Sequence, residues 1–369
     1  MGIRAVRIWA VELPYVEPFR TALGVSEITK NLVVEVETDF GLVGLGECSP
    51  LPKVTGETLE ASLEALKAIG AKLVGTCPLR LEAVRELMAE LALGCPAARA
   101  AVDMALFDIL GQVAGRPLYC VLGGYRDRVQ TDITISLKEP GEMASDALKA
   151  VEAGFRALKL KVGEGGVEKD VERVRAVRDA VGPDMELRVD ANQAWSPKEA
   201  IRAVKALGKL DVAFVEQPIP AGDIDGLAEV RAASPVPVMA DETVLGPAEA
   251  LKVVEARAAD LINIKLMKCG GISDALRIAA IAETAEVGLM VGCGGESRLG
   301  ITAAVHLAAA LKAIGYADLD SDLLLAEDVV AEGGSTVQGG IRLLPDAPGL
   351  GVARLRKDKM ELLAYFRAG

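Results

Sequence analysis

The sequence carries one histidine in 369 residues, His306. It lies in GITAAVHLAAALKAIG, whose spacing is that of an apolar-faced helix, so a structural place is expected for it. The side chain that most often moves protons near neutral pH is thus unavailable, and a general base must be Lys, Asp, Glu, Cys or Tyr. Basic residues are not in excess. The net charge is −12, and an acidic surface repels phosphate backbones, which argues against nucleic acid as a partner. No apolar run reaches the roughly 18 residues of a membrane span, so no membrane partner is expected. The opening MGIRAVRIWAVELP lacks the layout of a signal peptide and reads as a strand. Val6 breaks the myristoylation pattern that Gly2 would begin. Cys48, Cys77, Cys95, Cys120, Cys269 and Cys293 form no CxxC pair and read as reduced thiols of a cytoplasmic protein.

What is present is 51% hydrophobic and 25% charged residues, the make-up of a well-buried globular protein. The length suits a barrel of about 250 residues plus a second unit. Residues 1–125 read as α+β, with strands over Arg4–Leu13, Asn31–Thr38 and Gly41–Glu47 and helices over Leu59–Leu73, Ala83–Ala92 and Ala97–Val113. From about residue 128 short β-rich runs alternate with amphipathic helices. The runs are Val129–Ser136, Ala157–Val162, Glu186–Asp190, Val212–Glu216, Pro237–Asp241, Leu261–Lys265, Leu289–Gly292 and Tyr316–Asp320. This α/β alternation predicts a parallel TIM-type barrel over residues 126–332. The competing doubly wound sheet needs fewer strands and usually a Gly-rich phosphate turn, which is missing. Residues 333–369 are turn-rich and are expected to fold back over the first unit or the barrel.

Five consecutive strands end in an ionisable residue: Lys161, Asp190, Glu216, Asp241 and Lys265, separated by 29, 26, 25 and 24 residues. Each interval is about one βα unit. One charged strand end is ordinarily just reaching water, but five in register converge on the mouth at the C-terminal ends of barrel strands. Three carboxylates cannot sit together ionised without a cation. With no His or Cys at these positions the ligand set Asp190, Glu216 and Asp241 is all oxygen, which selects Mg²⁺, with Mn²⁺ as the alternative, over zinc. Such an ion can grip a substrate carboxylate and stabilise the enolate left when its α-proton departs. Lys159 and Lys161 are two apart on one strand and share a face. Two ammonium groups near a metal ion are expected to disfavour each other's charge, which lets one act as a base. Lys265 comes from the opposite side, so two lysines could exchange the proton of one carbon and invert it.

Together the KLK run, VDANQAW, VEQP, ADE and NIKLMKCGGI, with GLVGLGECSP, AARAAVDMALFDILGQ and PLYCVLGGYRD, resemble the enolase superfamily and, within it, the muconate-lactonising subgroup. The resemblance covers nearly the whole chain. It implies a (β/α)7β barrel with an α+β capping domain, Mg²⁺ on the three carboxylates, and Lys161 and Lys265 as the acid/base pair. It also implies a homo-oligomer. Asn192, Glu242 and Lys268 read as supports behind these groups. The His–Asp dyad of the mandelate racemase branch is missing. Asp318 and Asp320, in YADLD, resemble the DxD motif of dipeptide epimerases, which holds the dipeptide's amine while the α-carbon of the second residue is epimerised. The same match places Thr134, Cys293 and Gly295 at the substrate, with Lys159 and Gly24 beside them. Where the Ala-Glu epimerases carry an arginine for the side-chain carboxylate, this chain has Gly24, and no cation for that side chain is evident. The expected reaction is a 1,1-proton transfer on Ala-Glu or a related dipeptide with a larger, apolar second residue. The rivals are o-succinylbenzoate synthase, N-acylamino acid racemase and muconate cycloisomerase, whose substrates leave Asp318 and Asp320 unexplained. A metabolite-binding barrel without catalysis is the alternative from another class.

Overall fold

A computed structural model describes residues 1–368. Its first strands are longer than the hydrophobic pattern suggests. β1 (Ile3–Thr21) and β2 (Gly24–Thr38) make one antiparallel hairpin, paired from Ile3↔Thr38 to Thr21↔Gly24 with a register shift between Pro14 and Phe19. Residues 14–30 had been expected to form no strand. Most of this arm is exposed on its outer side, so no apolar alternation announces it. Contacts with the barrel hold it instead: Arg20 N–H donates to Ser136 Oγ at 2.7 Å, and Leu137 N–H donates to Arg20 O at 3.0 Å. β3 (Val43–Cys48) pairs with β2. Then come α1 (Pro52–Thr55), α2 (Leu59–Leu73), α3 (Leu81–Leu91), α4 (Pro96–Ala114) and α5 (Leu118–Leu122). α4 is Ala-rich and buried on nearly every side. A Cβ on Gly46 would stand 1.8 Å from Ala101 O, and one on Gly44 would stand 1.9 Å from Ala105 O. These two glycines of β3 are what let the helix backbone touch the sheet.

β4 (Arg128–Gln130) stands apart from the barrel. The barrel strands are β5 (Ile133–Ile135), β6 (Ala157–Lys161), β7 (Glu186–Asp190), β8 (Val212–Glu216), β9 (Val238–Ala240), β10 (Leu261–Ile264), β11 (Gly288–Gly292) and β12 (Ile314–Asp318), each parallel to the next. Between them run α6 (Pro140–Glu152), α7 (Val167–Val181), α8 (Pro197–Leu207), α9 (Ile224–Ala233), α10 (Pro247–Glu255), the short α11 (Leu266–Cys269) with α12 (Ile272–Thr284), and α13 (Arg298–Ala310). Among the described residues no α-helix follows the eighth strand, so the pattern is (β/α)7β. α8 shows why such segments become helices. Ser196 and Glu199 cap its start reciprocally, Pro197 opens it, and Ala200, Ala203, Val204 and Leu207 form its buried face.

The expected strand Val129–Ser136 is broken at Thr131 and Asp132. Asp132 is fully buried and accepts from Arg188 Nη1 at 2.8 Å; the same nitrogen donates to Ala317 O at 2.8 Å. With Leu319 N–H donating to Thr131 Oγ1 at 2.9 Å, this closes the seam between the first and last barrel strands. Deep in the barrel Phe214, Met239, Leu261 and Met290 cluster against Tyr316. The polar residues above them therefore rest on a packed floor.

The chain ends in β13 (Val330–Gly333), β14 (Thr336–Gln338), β15 (Ile341–Leu343), β16 (Val352–Leu355) and β17 (Glu361–Arg367). β15 pairs with β4 and β14 in a three-stranded sheet outside the barrel, while β17 pairs with β1 at the edge of the hairpin sheet. Gly369, the last residue of the expected turn-rich tail, lies outside the described residues. No described helix is long and apolar enough to cross a membrane.

Candidate active site

Asp190 and Glu216 end β7 and β8, and Asp241 directly follows β9. Parallel pairing sets Asp190 beside Glu216 and Glu216 beside Met239, so the three carboxylates rise on adjacent strands. One oxygen of each lies within 4.8 Å of the others, and all three side chains are buried. The donors are all carboxylate oxygens, the chemistry of a hard divalent cation. Glu216 Oε2 is buried without a hydrogen-bond partner, although Lys159 Nζ stands 2.8 Å from it off the hydrogen-bond direction. Burial, then the neighbouring Asp190 charge, pushes the Glu216 carboxyl up to about 7. A bound cation relieves both features, so these residues fit a metal ion.

The backbone around the triad is held in unusual conformations. Asn192, Gln193 and Gln217 all have positive φ, at 40°, 71° and 35°, a state non-glycine residues rarely adopt. Gln217 Oε1 accepts from Asp241 N–H at 2.9 Å and Thr243 N–H at 3.1 Å, which fixes the loop carrying Asp241. Asn192 N–H donates to Asp190 Oδ1 at 2.9 Å, and Asn263 Nδ2 donates to Glu216 Oε1 at 2.8 Å. Asn263 lies two residues before Lys265, on the same inward face. The two-residue period that pairs Lys159 with Lys161 is the signal that marks Asn263 as well.

Lys161 Nζ reaches Asp190 Oδ2 at 2.6 Å, and Lys265 Nζ reaches Asp241 Oδ2 at 2.8 Å. β6 and β10 are four strands apart in an eight-stranded ring, so these two lysines approach from opposite sides. Lys268, in the short α11, donates to Asp241 Oδ1 and, at 3.1 Å, to Asn263 O.

Lys159 departs from expectation. It had been placed among the substrate contacts, but it is only 1% exposed and does not line the cavity. Its Nζ sits 3.2 Å from Asp190, 2.8 Å from Glu216 and 2.6 Å from Asp318. Burial disfavours its charge, yet Asp318, Glu216 and Asp190 more than offset that and hold its pKa well above the usual lysine value. Burial likewise opposes the charge of Lys265, and Asp241 outweighs it, raising that pKa too. For Lys159 the neighbouring carboxylates thus override the depression expected from a second ammonium nearby.

Asp318 ends β12, whereas Asp320, expected in the same strand, lies beyond it at the start of a short 3-10 turn. The two still converge, with Cys293, to within 4.8 Å. Lys159 is bonded to Asp318, and although burial opposes it, that cation holds the Asp318 carboxyl down at about 2. Asp320 accepts from Thr134 N–H at 2.6 Å. Burial, then the charge of Asp318, pushes its carboxyl up to about 6. Asp318 Oδ1 is buried with no partner. The pair presents excess negative charge to whatever enters.

Above these groups opens a cavity of about 410 Å³, lined by Lys161, Lys265, Asn192, Glu242, Thr134, Cys293, Gly295, Asp318, Asp320 and Gly24 among others. Every proposed substrate contact except Lys159 therefore reaches one space. Asn192 Nδ2 donates to Glu242 Oε1 at 3.1 Å, while Asn192 Oδ1 and Glu242 Oε2 remain unpartnered. The opposite wall is apolar: Phe19, Leu23 and Ile28 from the hairpin arm, with Leu51 and Val54 from the segment around α1 and Leu59 from the start of α2. Sequence reasoning missed these residues, because nothing in their spacing marks them. It also found no cation for a substrate side chain, yet Lys30 and Lys53 line the cavity.

Comparison with known proteins agrees with this geometry. Residues 3–123 match the family model of the mandelate racemase / muconate lactonizing enzyme N-terminal domain, and residues 142–357 match that of the enolase C-terminal domain-like family. The chain is 45% identical over 354 residues to a hydrophobic dipeptide epimerase of Enterococcus faecalis (96% of this chain, 100% of the relative). It is 41% identical over 366 residues to the L-Ala-D/L-Glu epimerase of Bacillus subtilis (98% of this chain, 100% of the relative). A crystal structure of the dipeptide epimerase of E. faecalis V583, complexed with Mg and the dipeptide L-Leu-L-Tyr, superposes with a TM-score of 0.94 at 44% identity, covering 96% of this chain and 100% of that one.

Proposed function

The chain belongs to the mandelate racemase / muconate lactonizing enzyme family, with an enolase-like C-terminal domain, and on that footing we propose that it is a dipeptide epimerase. The observation that carries this reading is that two lysines on opposite sides and the Asp318/Asp320 pair line one cavity, while the carboxylate triad lies buried beneath it in contact with both lysines. The relatives' own reactions and the dipeptide held by the E. faecalis enzyme support it. Asp190, Glu216 and Asp241 would hold Mg²⁺, which supplies a grip on the substrate's terminal carboxylate and offsets the charge that builds there as the α-proton leaves.

The chain's own residues do the rest. Asp318 and Asp320 take the free amine, which places the second residue's α-carbon between the two lysines. One of Lys161 and Lys265 removes the α-proton from its side, and the other returns a proton to the opposite face. The α-carbon is inverted and no bond other than C–H changes. Lys159 stays protonated beneath, and Lys268 bonds Asp241, so both keep the carboxylates in place. The apolar wall receives the second residue's side chain. The free thiol state of the six cysteines supports a reducing, cytoplasmic setting, and a homo-oligomer belongs to the same reading.

The test is a dipeptide library incubated with the Mg²⁺-loaded enzyme in D₂O and read by mass spectrometry. Deuterium enters the second residue of accepted dipeptides. If no dipeptide gains deuterium while an N-acylamino acid turns over, the proposal fails. Lys161→Ala and Lys265→Ala should each abolish exchange from one stereoisomer at least, while Mg²⁺ still raises Tm in both. Unchanged exchange in both variants overturns the two-base mechanism.

A further inference from the structure

Four lysines line the cavity, and three are paired: Lys161 with Asp190, Lys265 with Asp241, and Lys30 with Glu12 at 2.6 Å. Among the described residues Lys53 is the one cavity-lining lysine without an acidic partner. It stands on α1, and its Nζ donates to Leu23 O at 2.6 Å, which leaves further ammonium hydrogens free. The ammonium occupies the space beside Gly24, where a Cβ would stand only 2.7 Å from Nζ. A side chain at position 24 would displace it. Glycine there therefore admits a cation from the neighbouring element to the hairpin tip. Gly24 also has φ +125°, a conformation that favours glycine on its own account.

Charge matching points to an occupant. A simple dipeptide is zwitterionic, with its carboxylate facing the triad's cation and its amine facing Asp318 and Asp320. Both of its charges are then used, and Lys53 remains the unmatched cation at the mouth. We propose that Lys53 is a specificity residue that binds a carboxylate on the side chain of the substrate's second residue, so that this enzyme accepts acidic dipeptides alongside those filling the apolar wall. The aliphatic part of such a side chain lies along Leu51, Val54 and Leu59, and its carboxylate ends at the Lys53 ammonium near Leu23. The inference rests on the dipeptide epimerase reading.

The experiment compares kcat/KM for L-Ala-L-Glu and L-Ala-L-Gln, which match in shape and differ in charge, in the wild type, Lys53→Met and Lys53→Arg. The wild type should prefer Glu by about tenfold, the size of one partly exposed charge-assisted hydrogen bond. Lys53→Met should erase that preference, chiefly through KM, and Lys53→Arg should retain it. A wild type indifferent to the Glu/Gln change overturns the proposal. So does a Lys53→Met variant that loses activity on both substrates equally, because the lysine would then serve only to pin the hairpin tip. Exchange on L-Leu-L-Tyr without exchange on L-Ala-L-Glu overturns this inference alone, whereas no exchange on any dipeptide overturns the dipeptide epimerase reading with it.

Discussion

His306 is buried with both ring nitrogens engaged. Nδ1 accepts from Tyr119 N–H at 3.1 Å and Nε2 stands 3.3 Å from Leu350 O, a set that only the neutral, Nε2-protonated ring satisfies. Burial lowers its pKa from 6.5 to about 4. Between those values the unfolded chain binds a proton that the folded chain does not, so stability rises with pH and is lost as pH falls from 6.5 toward 4. The loss amounts to about 3 kcal/mol at 1.36 kcal/mol per unit. His306→Gln should flatten that limb of the stability curve, measured by urea unfolding across pH 4–7; an unaltered slope refutes the assignment. Asp320 belongs to the same scale. Asp320→Asn keeps the acceptor for Thr134 N–H but removes a charge from the proposed amine subsite, so KM for dipeptides should rise roughly tenfold to a hundredfold. An unchanged KM would remove the amine from this subsite.

At the scale of elements, the contact of α4 with β3 depends on two missing side chains. Gly46→Ala would drive a methyl into Ala101 O, a backbone atom that cannot swing aside. The expected loss is about 3 kcal/mol or more. Gly141→Ala, at the start of α6 with nothing within 4 Å of the added carbon, should be neutral or stabilise by up to about 1 kcal/mol. Thermal unfolding of both variants checks the pair, and equal effects would show that close approach is not what these glycines provide. The hairpin arm obeys another rule. β1 was legible to Leu13, where apolar residues alternate toward α2, and illegible beyond, where contact with the barrel decides the pairing.

Across the whole molecule, Glu47 on β3 joins the antiparallel sheet to the barrel. It is fully buried and accepts from Asn31 Nδ2 at 2.7 Å, Ser297 N–H at 2.9 Å, Ser297 Oγ at 2.7 Å and Gly300 N–H at 2.8 Å, at the start of α13. Asn31 Nδ2 also donates to Gly295 O at 2.8 Å, so the latch reaches the cavity wall. Glu47→Ala leaves these donors buried without an acceptor, at a cost of a few kcal/mol. Amide exchange at Ser297 and Gly300 should accelerate, and KM should rise more than kcat falls. Native-like exchange at both amides would show that the latch does not hold the two parts together.

The sequence by itself determined that the charged strand ends converge. A strand turns one residue in two toward the barrel axis, and one βα repeat brings the next strand alongside. Lys161, Asp190, Glu216, Asp241 and Lys265 were therefore bound to meet once the barrel was recognised. Tertiary structure alone decided which groups close the mouth and which charges touch. Phe19, Ile28 and Lys53 come from segments without periodicity, placed by docking against the barrel. Lys159 was turned from a substrate contact into a buried counter-ion by its distances to three carboxylates. Spacing along a chain reports direction within an element; proximity between elements, on which packing and Coulomb energies depend, exists only in the folded molecule.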